Sequence, residues 1–149
     1  MTLKPEPLEL QCPSPEHCVE VARCILNHFP QSRLVLLEGG PGAGKTTLVQ
    51  AFLKHWGVSE PVTSPTFTLV HTYHNDLGQS FAHLDLYRIH SEAEAQEAGL
   101  SEVIAEPHRA ILVEWPSHAP GLFLDIPHLH ILISQEEGGG RHLRVEQRN

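Results

Sequence analysis

Residues 39–47 constrain this chain more than any other part of it. They read Gly-Gly-Pro-Gly-Ala-Gly-Lys-Thr-Thr and lie between an apolar run at 34–37 and an amphipathic stretch at 48–53. A strand, a glycine-rich loop and a helix in that order are the context in which G-x-x-x-x-G-K-[ST] is a phosphate-binding loop (P-loop). Glycines let successive backbone N–H groups point into one anion-binding concavity, and the helix adds its positive dipole end. The segment therefore predicts an α/β fold that binds a nucleoside triphosphate.

The side chains of this loop have distinct expected roles. Lys45 is placed to reach the β- and γ-phosphates as a point charge, and the Thr46 hydroxyl is placed to ligate Mg²⁺. We therefore expect Lys45 to take part in catalysis and Thr46 to bind the metal. The residues expected to contact the nucleotide are Pro41, Gly42, Ala43, Gly44, Lys45, Thr46 and Thr47.

Length and charge narrow the class of protein. The 149 residues are enough for one hydrophobic core, so we expect a single domain over residues 1–149. No apolar stretch approaches the length of a membrane span, and the N-terminus lacks the pattern of a secretion signal, which favours a cytoplasmic protein without a membrane partner. The formal net charge of −8 and the lack of a basic cluster argue against direct binding of nucleic acid.

The remaining patterns predict a single P-loop domain with a mixed, mostly parallel central sheet, flanked by helices and carrying antiparallel hairpins. Helices are expected from Pro15 for about 13 residues, over 48–56, and from the Ser91/Glu94 capping box to near Gly99. Strands are expected at 8–10, 33–38, 66–73, 81–88, 110–113, 128–134 and 141–147.

Two carboxylates are candidates for the chemistry. Glu114 ends the apolar run 111–113, which is where P-loop enzymes place a magnesium-binding carboxylate. Asp85 is expected in mid-strand, where an unpaired carboxylate is costly, so we expect it to orient water or to bond the water shell of the metal. The alternatives are an ordinary solvent-facing glutamate at a strand end and a local ion pair between Asp85 and Arg88.

A hydroxyl-rich segment precedes these carboxylates. Residues 63–68, Thr-Ser-Pro-Thr-Phe-Thr, are suited to present a hydroxyl to magnesium or to the γ-phosphate and to move on hydrolysis, as GTPase switch loops do. The alternative is an ordinary Ser/Thr-rich start of a strand.

Four blocks of residues occur in the order found in the TsaE family (also called YjeE) of bacterial P-loop ATPases of tRNA threonylcarbamoyladenosine biosynthesis. The blocks are 42–47, 64–70, 83–88 and 113–116. The first is shared by P-loop proteins in general, whereas the second, Ser-Pro-Thr-Phe-Thr-Leu-Val, and the third, His-Leu-Asp-Leu-Tyr-Arg, are specific. The chain resembles this family over residues 8–147, nearly its whole length.

The resemblance implies a magnesium-dependent ATPase that binds ATP, is slow alone and is stimulated by the TsaB and TsaD proteins. Contact with tRNA is implied only through those partners. By the same resemblance, Thr46 and Glu114 are the magnesium ligands, Thr66 is a switch residue near the γ-phosphate, and Asp85 is a required catalytic aspartate.

Two further residues take their expected roles from the resemblance alone. Trp115 resembles a tryptophan whose environment responds to nucleotide, and Arg141 matches a Gly-Arg placed near the nucleotide. The chain also departs from the family, which usually reads Gly-Asp-Leu-Gly where residues 39–42 are Gly-Gly-Pro-Gly. The family usually has Thr and Gly where this chain has Cys18 and Ala22, which puts any nucleotide contact from the first helix in doubt.

Three other functions share part of the pattern. A small-metabolite or nucleoside kinase has the same loop and size but usually an arginine-bearing lid, and the arginines here are scattered. A Ras-like GTPase needs an N-K-x-D segment, which this sequence lacks. A nucleotide-binding adaptor that uses ATP as a clamp has the same sequence pattern as a slow ATPase.

Overall fold

The structure is a computed structural model that describes residues 5–149. All of its strands form one seven-stranded sheet in the order β1-β7-β6-β2-β5-β4-β3. The strands are β1 Leu8–Cys12, β2 Leu34–Glu38, β3 Val70–His74, β4 Ser80–Asp85, β5 Ala110–Glu114, β6 His128–Gln135 and β7 Arg141–Arg148. The helices are α1 Cys18–His28, α2 Lys45–His55, α3 Glu92–Glu97 and α4 Leu100–Ala105, with 3₁₀ turns at Pro15–His17, Pro116–His118 and Pro120–Phe123.

The sheet is mixed, as predicted. Its four central strands, β6, β2, β5 and β4, run parallel to one another. On one side β7 pairs antiparallel with β6 and β1 with β7, and on the other side β3 pairs antiparallel with β4. The β3–β4 and β6–β7 pairs are the two expected hairpins. Because β2, β4 and β5 run in the same direction, their carboxyl ends meet at one edge of the sheet, where open α/β sheets bind their ligands.

The core lies on both faces of this sheet. On one face, α1 and α2 pack against β2, β5, β6 and β7, with Ile25, Phe52 and Leu112 fully buried. On the other face, α3, α4 and the turn at Pro120–Phe123 cover β4 and β5 around Leu84 and Ile111. The parallel strand β5 is buried along its whole length, as its continuous apolar sequence requires. Within residues 5–149, no helix is long and apolar enough to cross a membrane.

The strand expected over 66–73 begins only at Val70. Residues 65–69 form a turn closed by the Leu69 N–H, which donates to the Pro65 carbonyl at 2.6 Å, and Leu69 has a φ of 69°. A residue in the left-handed region interrupts the extended backbone, so the hydroxyl-rich segment stays outside the sheet. The prediction of one continuous strand from 66 was therefore wrong.

Other element bounds also differ from the sequence prediction. The strand expected over 81–88 ends at Asp85, whose Oδ1 accepts a hydrogen bond from the Tyr87 N–H at 2.9 Å and turns the chain out of the sheet. The helix that starts at the Ser91 cap ends at Glu97, and α4 follows it after Gly99. The sequence prediction missed α4 because a segment of six residues is too short to show a helical period.

Candidate nucleotide-binding site

The loop between β2 and α2 has the geometry of an anion-binding cradle. Gly44, immediately before α2, has a φ of 101°, which residues with a side chain rarely adopt. At Gly39, a Cβ would lie 2.7 Å from the Ile133 carbonyl oxygen, so the loop passes too close to β6 for any side chain. These two glycines place the loop across the carboxyl end of β2 and aim the N-terminus of α2 into the cavity above it.

Lys45 is buried at the centre of the loop. Its ammonium donates hydrogen bonds to the carbonyls of Gly39 at 2.7 Å and Gly40 at 3.0 Å. Its Nζ also lies 3.9 Å from the centroid of the Trp115 ring, a distance typical of a cation–π contact. Burial lowers the pKa of Lys45 below its usual value, and the nearby carboxylates of Glu114 and Asp85 only partly oppose this effect. The ammonium is therefore held in place inside the cavity, close to the proposed phosphate position.

Thr46 and Glu114 are in direct contact. The Thr46 hydroxyl lies 3.0 Å from both carboxylate oxygens of Glu114, at the end of β5. The Glu114 side chain is almost completely buried, so its oxygens are not simply exposed to solvent at a strand end. A hydroxyl and a carboxylate facing each other at the mouth of a P-loop form the oxygen donor set that Mg²⁺ prefers. The residues present therefore fit a magnesium ion.

Asp85 lies beside Glu114, since the two residues are partners in the β4–β5 register. Its Oδ2 accepts hydrogen bonds from the hydroxyls of Ser64 at 3.1 Å and Thr66 at 2.8 Å. Asp85 is buried at the last position of β4, whereas the sequence placed it in mid-strand. A buried carboxylate requires such partners, and residues 64–69 bring them to Asp85.

The alternative of an ion pair between Asp85 and Arg88 does not hold. Among residues 5–149 no salt bridge joins them, and the Arg88 guanidinium carbon lies 5.1 Å from the centroid of the Phe67 ring. Phe67 is 84% exposed, so this cation–π contact lies on the surface at the tip of the 65–69 turn.

Trp115 follows Glu114 and turns the chain away from the sheet. Its φ of 58° is in the left-handed region, which is costly for an aromatic residue. The indole packs against Tyr87, with ring centroids 5.1 Å apart, and against His118 at 5.4 Å. This geometry puts the ring beside the Lys45 ammonium. Trp56, by contrast, is stacked between Phe52 and Phe81, away from the cavity.

Arg141 contacts the loop from the opposite side. Its Nε donates to the Ala43 carbonyl at 2.8 Å and its Nη2 to the Gly42 carbonyl at 3.1 Å. Gln135, at the other side of the same hairpin, also donates to the Gly42 carbonyl at 3.0 Å. The β6–β7 hairpin therefore braces the loop through backbone carbonyls.

These elements enclose one cleft of about 580 Å³. All the residues predicted from the sequence line it: Pro41, Gly42, Ala43, Gly44, Lys45, Thr46, Thr47, Thr66, Asp85, Glu114, Trp115 and Arg141. The structure thus brings every predicted site residue together, and their individual roles stay predictions.

The hairpin end of the cleft, which lies near Arg141, was not predicted from the sequence. It is lined by residues of β1, of the Pro15–His17 turn and of the start of α1, including Cys12, Ser14, Pro15 and Cys18. The Cys12 and Cys18 sulfur atoms are 3.3 Å apart, and burial together with the Cys12 contact raises the pKa of Cys18 to about 12. The departure from the family at Cys18 was the one signal in the sequence that pointed to this region.

His83 is another residue near the cleft to which the sequence analysis gave no role. It is fully buried, and its Nε2 lies 2.6 Å from Oε2 of Glu114. The alternation of β4 could have identified His83 as a site residue, because residues 83 and 85 lie on the same face of the strand.

The chain is similar to several known proteins that share one name. Residues 12–143 match the model of a family described as threonylcarbamoyl adenosine biosynthesis protein TsaE. The chain is 34% identical over 115 residues to the tRNA threonylcarbamoyladenosine biosynthesis protein TsaE of Nostoc sp., an alignment that covers 75% of this chain. It is 35% identical over 102 residues to the protein of the same name from Bacillus subtilis, covering 68% of this chain.

The aligned part spans about two thirds of these relatives, 68% of the Nostoc protein and 62% of the Bacillus protein. The fold agrees with that of a solved structure, the crystal structure of Bacillus subtilis YdiB, with a TM-score of 0.73 and 26% identity. That superposition covers 97% of this chain and 87% of YdiB.

Proposed function

Because the chain belongs to the TsaE family, we propose that it is the ATP-binding and ATP-hydrolysing component of tRNA threonylcarbamoyladenosine modification and acts with TsaB and TsaD. Residues 1–149 act as one domain in this proposal, in the cytoplasm, where the tRNA substrate is modified. Membership of the family and the relatives' names support the pathway, and the cleft supports the ATPase activity.

The observation that carries the proposal is the convergence of three groups on one loop. Lys45, the Thr46–Glu114 pair and Asp85 lie together in the cleft, and each is held by hydrogen bonds. Lys45, Glu114 and Asp85 are buried. A site for phosphate alone needs the loop, whereas the two additional carboxylates serve a metal ion and a water molecule. This combination favours hydrolysis over simple binding of an anion.

Each residue then has a role in ATP hydrolysis. The backbone N–H groups at the start of α2 and the Lys45 ammonium bind the β- and γ-phosphates. Thr46 and Glu114 hold Mg²⁺, which neutralises developing charge on the phosphates when it is bound. Asp85 orients the attacking water, and the Thr66 hydroxyl, bonded to Asp85, links the 65–69 turn to the presence of the γ-phosphate.

The surface charge favours action through partner proteins. The net charge of −8 gives weak attraction for free tRNA, since binding of a phosphate backbone needs several cationic side chains in register. The 65–69 turn carries the exposed Phe67 at the border of the cleft, where ATP and ADP states present different surfaces to TsaB and TsaD.

A kinase is less well supported by the same cleft. Arg141 is the one arginine among the described residues that line it, and both of its branches are bonded to carbonyls of the loop and the hairpin. An arginine engaged in this way braces the loop and is poorly placed to close over a transferred phosphate as a kinase lid does.

The test is an ATPase assay of the purified chain with and without TsaB and TsaD from the same source. We expect slow hydrolysis by the chain alone, acceleration by the partner complex, and loss of both in Lys45→Ala. Calorimetry should show that ATP binds more tightly than GTP. A partner complex that leaves the rate unchanged, or GTP bound as tightly as ATP, would contradict the proposal.

A further inference from the structure

His83 lies directly beneath the proposed magnesium site, and the activity described above gives it no part. We propose that His83 is a positioning residue, which holds the Glu114 carboxylate in the orientation that binds Mg²⁺. The inference rests on the proposed function, because it concerns the magnesium site of that function. It adds a residue to the site and predicts a specific effect on magnesium-dependent binding.

The topology of the sheet places His83 where it can act on Glu114. In the parallel β4–β5 pair, His83 is aligned with Leu112 and Asp85 with Glu114. Side chains two residues apart in a strand share a face, so His83 follows the buried Phe81 and precedes Asp85 on the side covered by α2. Along this row the side chains change from apolar to imidazole to carboxylate toward the cleft.

The contact between His83 and Glu114 is short and shielded from water. The Nε2–Oε2 distance is 2.6 Å, and the two side chains are 0% and 4% exposed. Since the Glu114 carboxylate is the acceptor, the imidazole donates through its Nε2–H. A hydrogen bond to a carboxylate in such surroundings is stronger than its counterpart in water.

The other ring nitrogen of His83 shows that the imidazole is not placed there for general packing. Its Nδ1 is buried and has no hydrogen-bond partner within the described part of the chain. A buried polar atom without a partner destabilises the fold, and an apolar side chain at this position would avoid that cost. The contact that distinguishes histidine from an apolar residue at position 83 is therefore the bond to Glu114.

Glu114 needs a partner that does not itself bind the metal. Its other partner is the Thr46 hydroxyl, 3.0 Å from each carboxylate oxygen, and Thr46 is the second proposed ligand. His83 holds Oε2 from the core side, and the Thr46 hydroxyl is within hydrogen-bonding distance of both oxygens. Partners that orient the ligands of a metal typically account for a tenfold to hundredfold difference in its affinity, on the order of 1–3 kcal/mol.

The experiment compares variants of His83 by calorimetric titration of ATP, once with Mg²⁺ and once with EDTA. His83→Phe removes the donor and keeps a ring, and His83→Gln keeps an N–H donor near the position of Nε2. His108 provides a matched control, since it is also buried and its Nε2 lies 2.9 Å from a glutamate, Glu106, outside the cleft. Circular dichroism establishes that each variant is folded.

We expect His83→Phe to reduce the gain in ATP affinity that Mg²⁺ provides by about tenfold or more, with affinity in EDTA unchanged. His83→Gln should keep most of that gain, and His108→Phe all of it. Combining His83→Phe with Glu114→Gln should add little to the effect of Glu114→Gln alone, because both act on one ligand.

The outcomes separate this inference from the proposed function. If the wild-type protein binds ATP equally with Mg²⁺ and with EDTA, the magnesium site of the proposed function is wrong, and the role of His83 is wrong with it. If the wild type depends on Mg²⁺ and His83→Phe matches it, or loses affinity equally in both buffers, only the positioning role is wrong.

If His83→Phe does not fold, a second pair of variants, His83→Gln and His83→Asn, tests the same role. The amide of His83→Gln reaches Glu114, whereas the shorter amide of His83→Asn does not. The positioning role requires that the effect of Mg²⁺ be retained in His83→Gln and reduced in His83→Asn. Equal behaviour of these two variants would contradict it.

Discussion

The two ends of the cleft are built from different kinds of contact. At the carboxylate end, side chains bond to side chains: Thr46 to Glu114, and Thr66 to Asp85. At the hairpin end, Arg141 bonds to backbone carbonyls, beside the neutral thiol of Cys18. The carboxylate end therefore consists of particular functional groups, whereas the residues of the hairpin end support the loop and line the cleft.

This difference explains which parts of the site were visible in the sequence. A metal ligand or a water-orienting carboxylate requires one residue type at one position, so the chemistry leaves a motif. A brace on backbone carbonyls can be supplied by many donors, because every residue offers a carbonyl. We therefore expect substitution of Asp85, at the carboxylate end, to change turnover, and substitution of Arg141, at the hairpin end, to change affinity by a smaller factor.

The largest effect is expected at Lys45, which joins the two ends. Lys45→Ala should weaken ATP binding by about a hundredfold or more, because it removes the charge-assisted hydrogen bonds to the phosphates. Calorimetry with Mg·ATP measures this loss. Lys54→Ala, in the exposed last turn of the same helix, is the matched control and should bind ATP normally. Comparable binding by the two variants would show that the loop does not hold the phosphates through Lys45.

The next largest effect distinguishes chemistry from binding at the carboxylate end. Asp85→Asn should lower turnover in the presence of the partner complex by about a hundredfold, because an amide is a poor acceptor for the proton of the attacking water. ATP affinity should stay within about threefold of the wild-type value, since Asp85 is proposed to act on the attacking water and not to bind the phosphates. Steady-state ATPase rates and calorimetry measure the two quantities, with the exposed Asp76→Asn as control. Unchanged turnover would remove the catalytic role of Asp85.

The hairpin end should show the reverse pattern. Arg141→Ala should weaken ATP binding by about tenfold, because the loop loses the hydrogen bonds that hold the Gly42 and Ala43 carbonyls. Turnover at saturating ATP should be nearly unchanged. Arg144→Ala, on the same strand and paired with Glu9 on the surface, is the control. If Arg141→Ala loses turnover and keeps affinity, the contrast between the two ends fails.

The smallest effect concerns the thiol at the hairpin end. With its pKa raised to about 12 from a usual 9.0, Cys18 stays a neutral thiol at pH 8 and becomes reactive only as pH approaches 12. Iodoacetamide at pH 8 should therefore modify the exposed Cys24 well before Cys18. Mass spectrometry of timed samples, with Cys24→Ser as control, measures the order. Cys18 modified as fast as Cys24 would show that this end of the cleft is open to solvent and not shielded by Cys12.

The sequence by itself determined the class of fold, the P-loop and the family, and it pointed to the two carboxylates that line the cleft. These features depend on local order along the chain: the 39–47 loop between a strand and a helix, and a glutamate directly after a buried strand. They are readable because the chemistry of phosphate and magnesium allows few residue types at those positions.

Only the tertiary structure decided which partners each group has. The bond from His83 to Glu114 joins residues 31 apart in sequence, and Arg141 reaches a carbonyl 98 residues away. Both contacts depend on the order and register of the strands, which the local pattern of a single strand does not specify. The turn at 65–69 was mispredicted as strand because the alternation of its residues shows neither the left-handed φ of Leu69 nor the bond from the Thr66 hydroxyl to Asp85, 19 residues away.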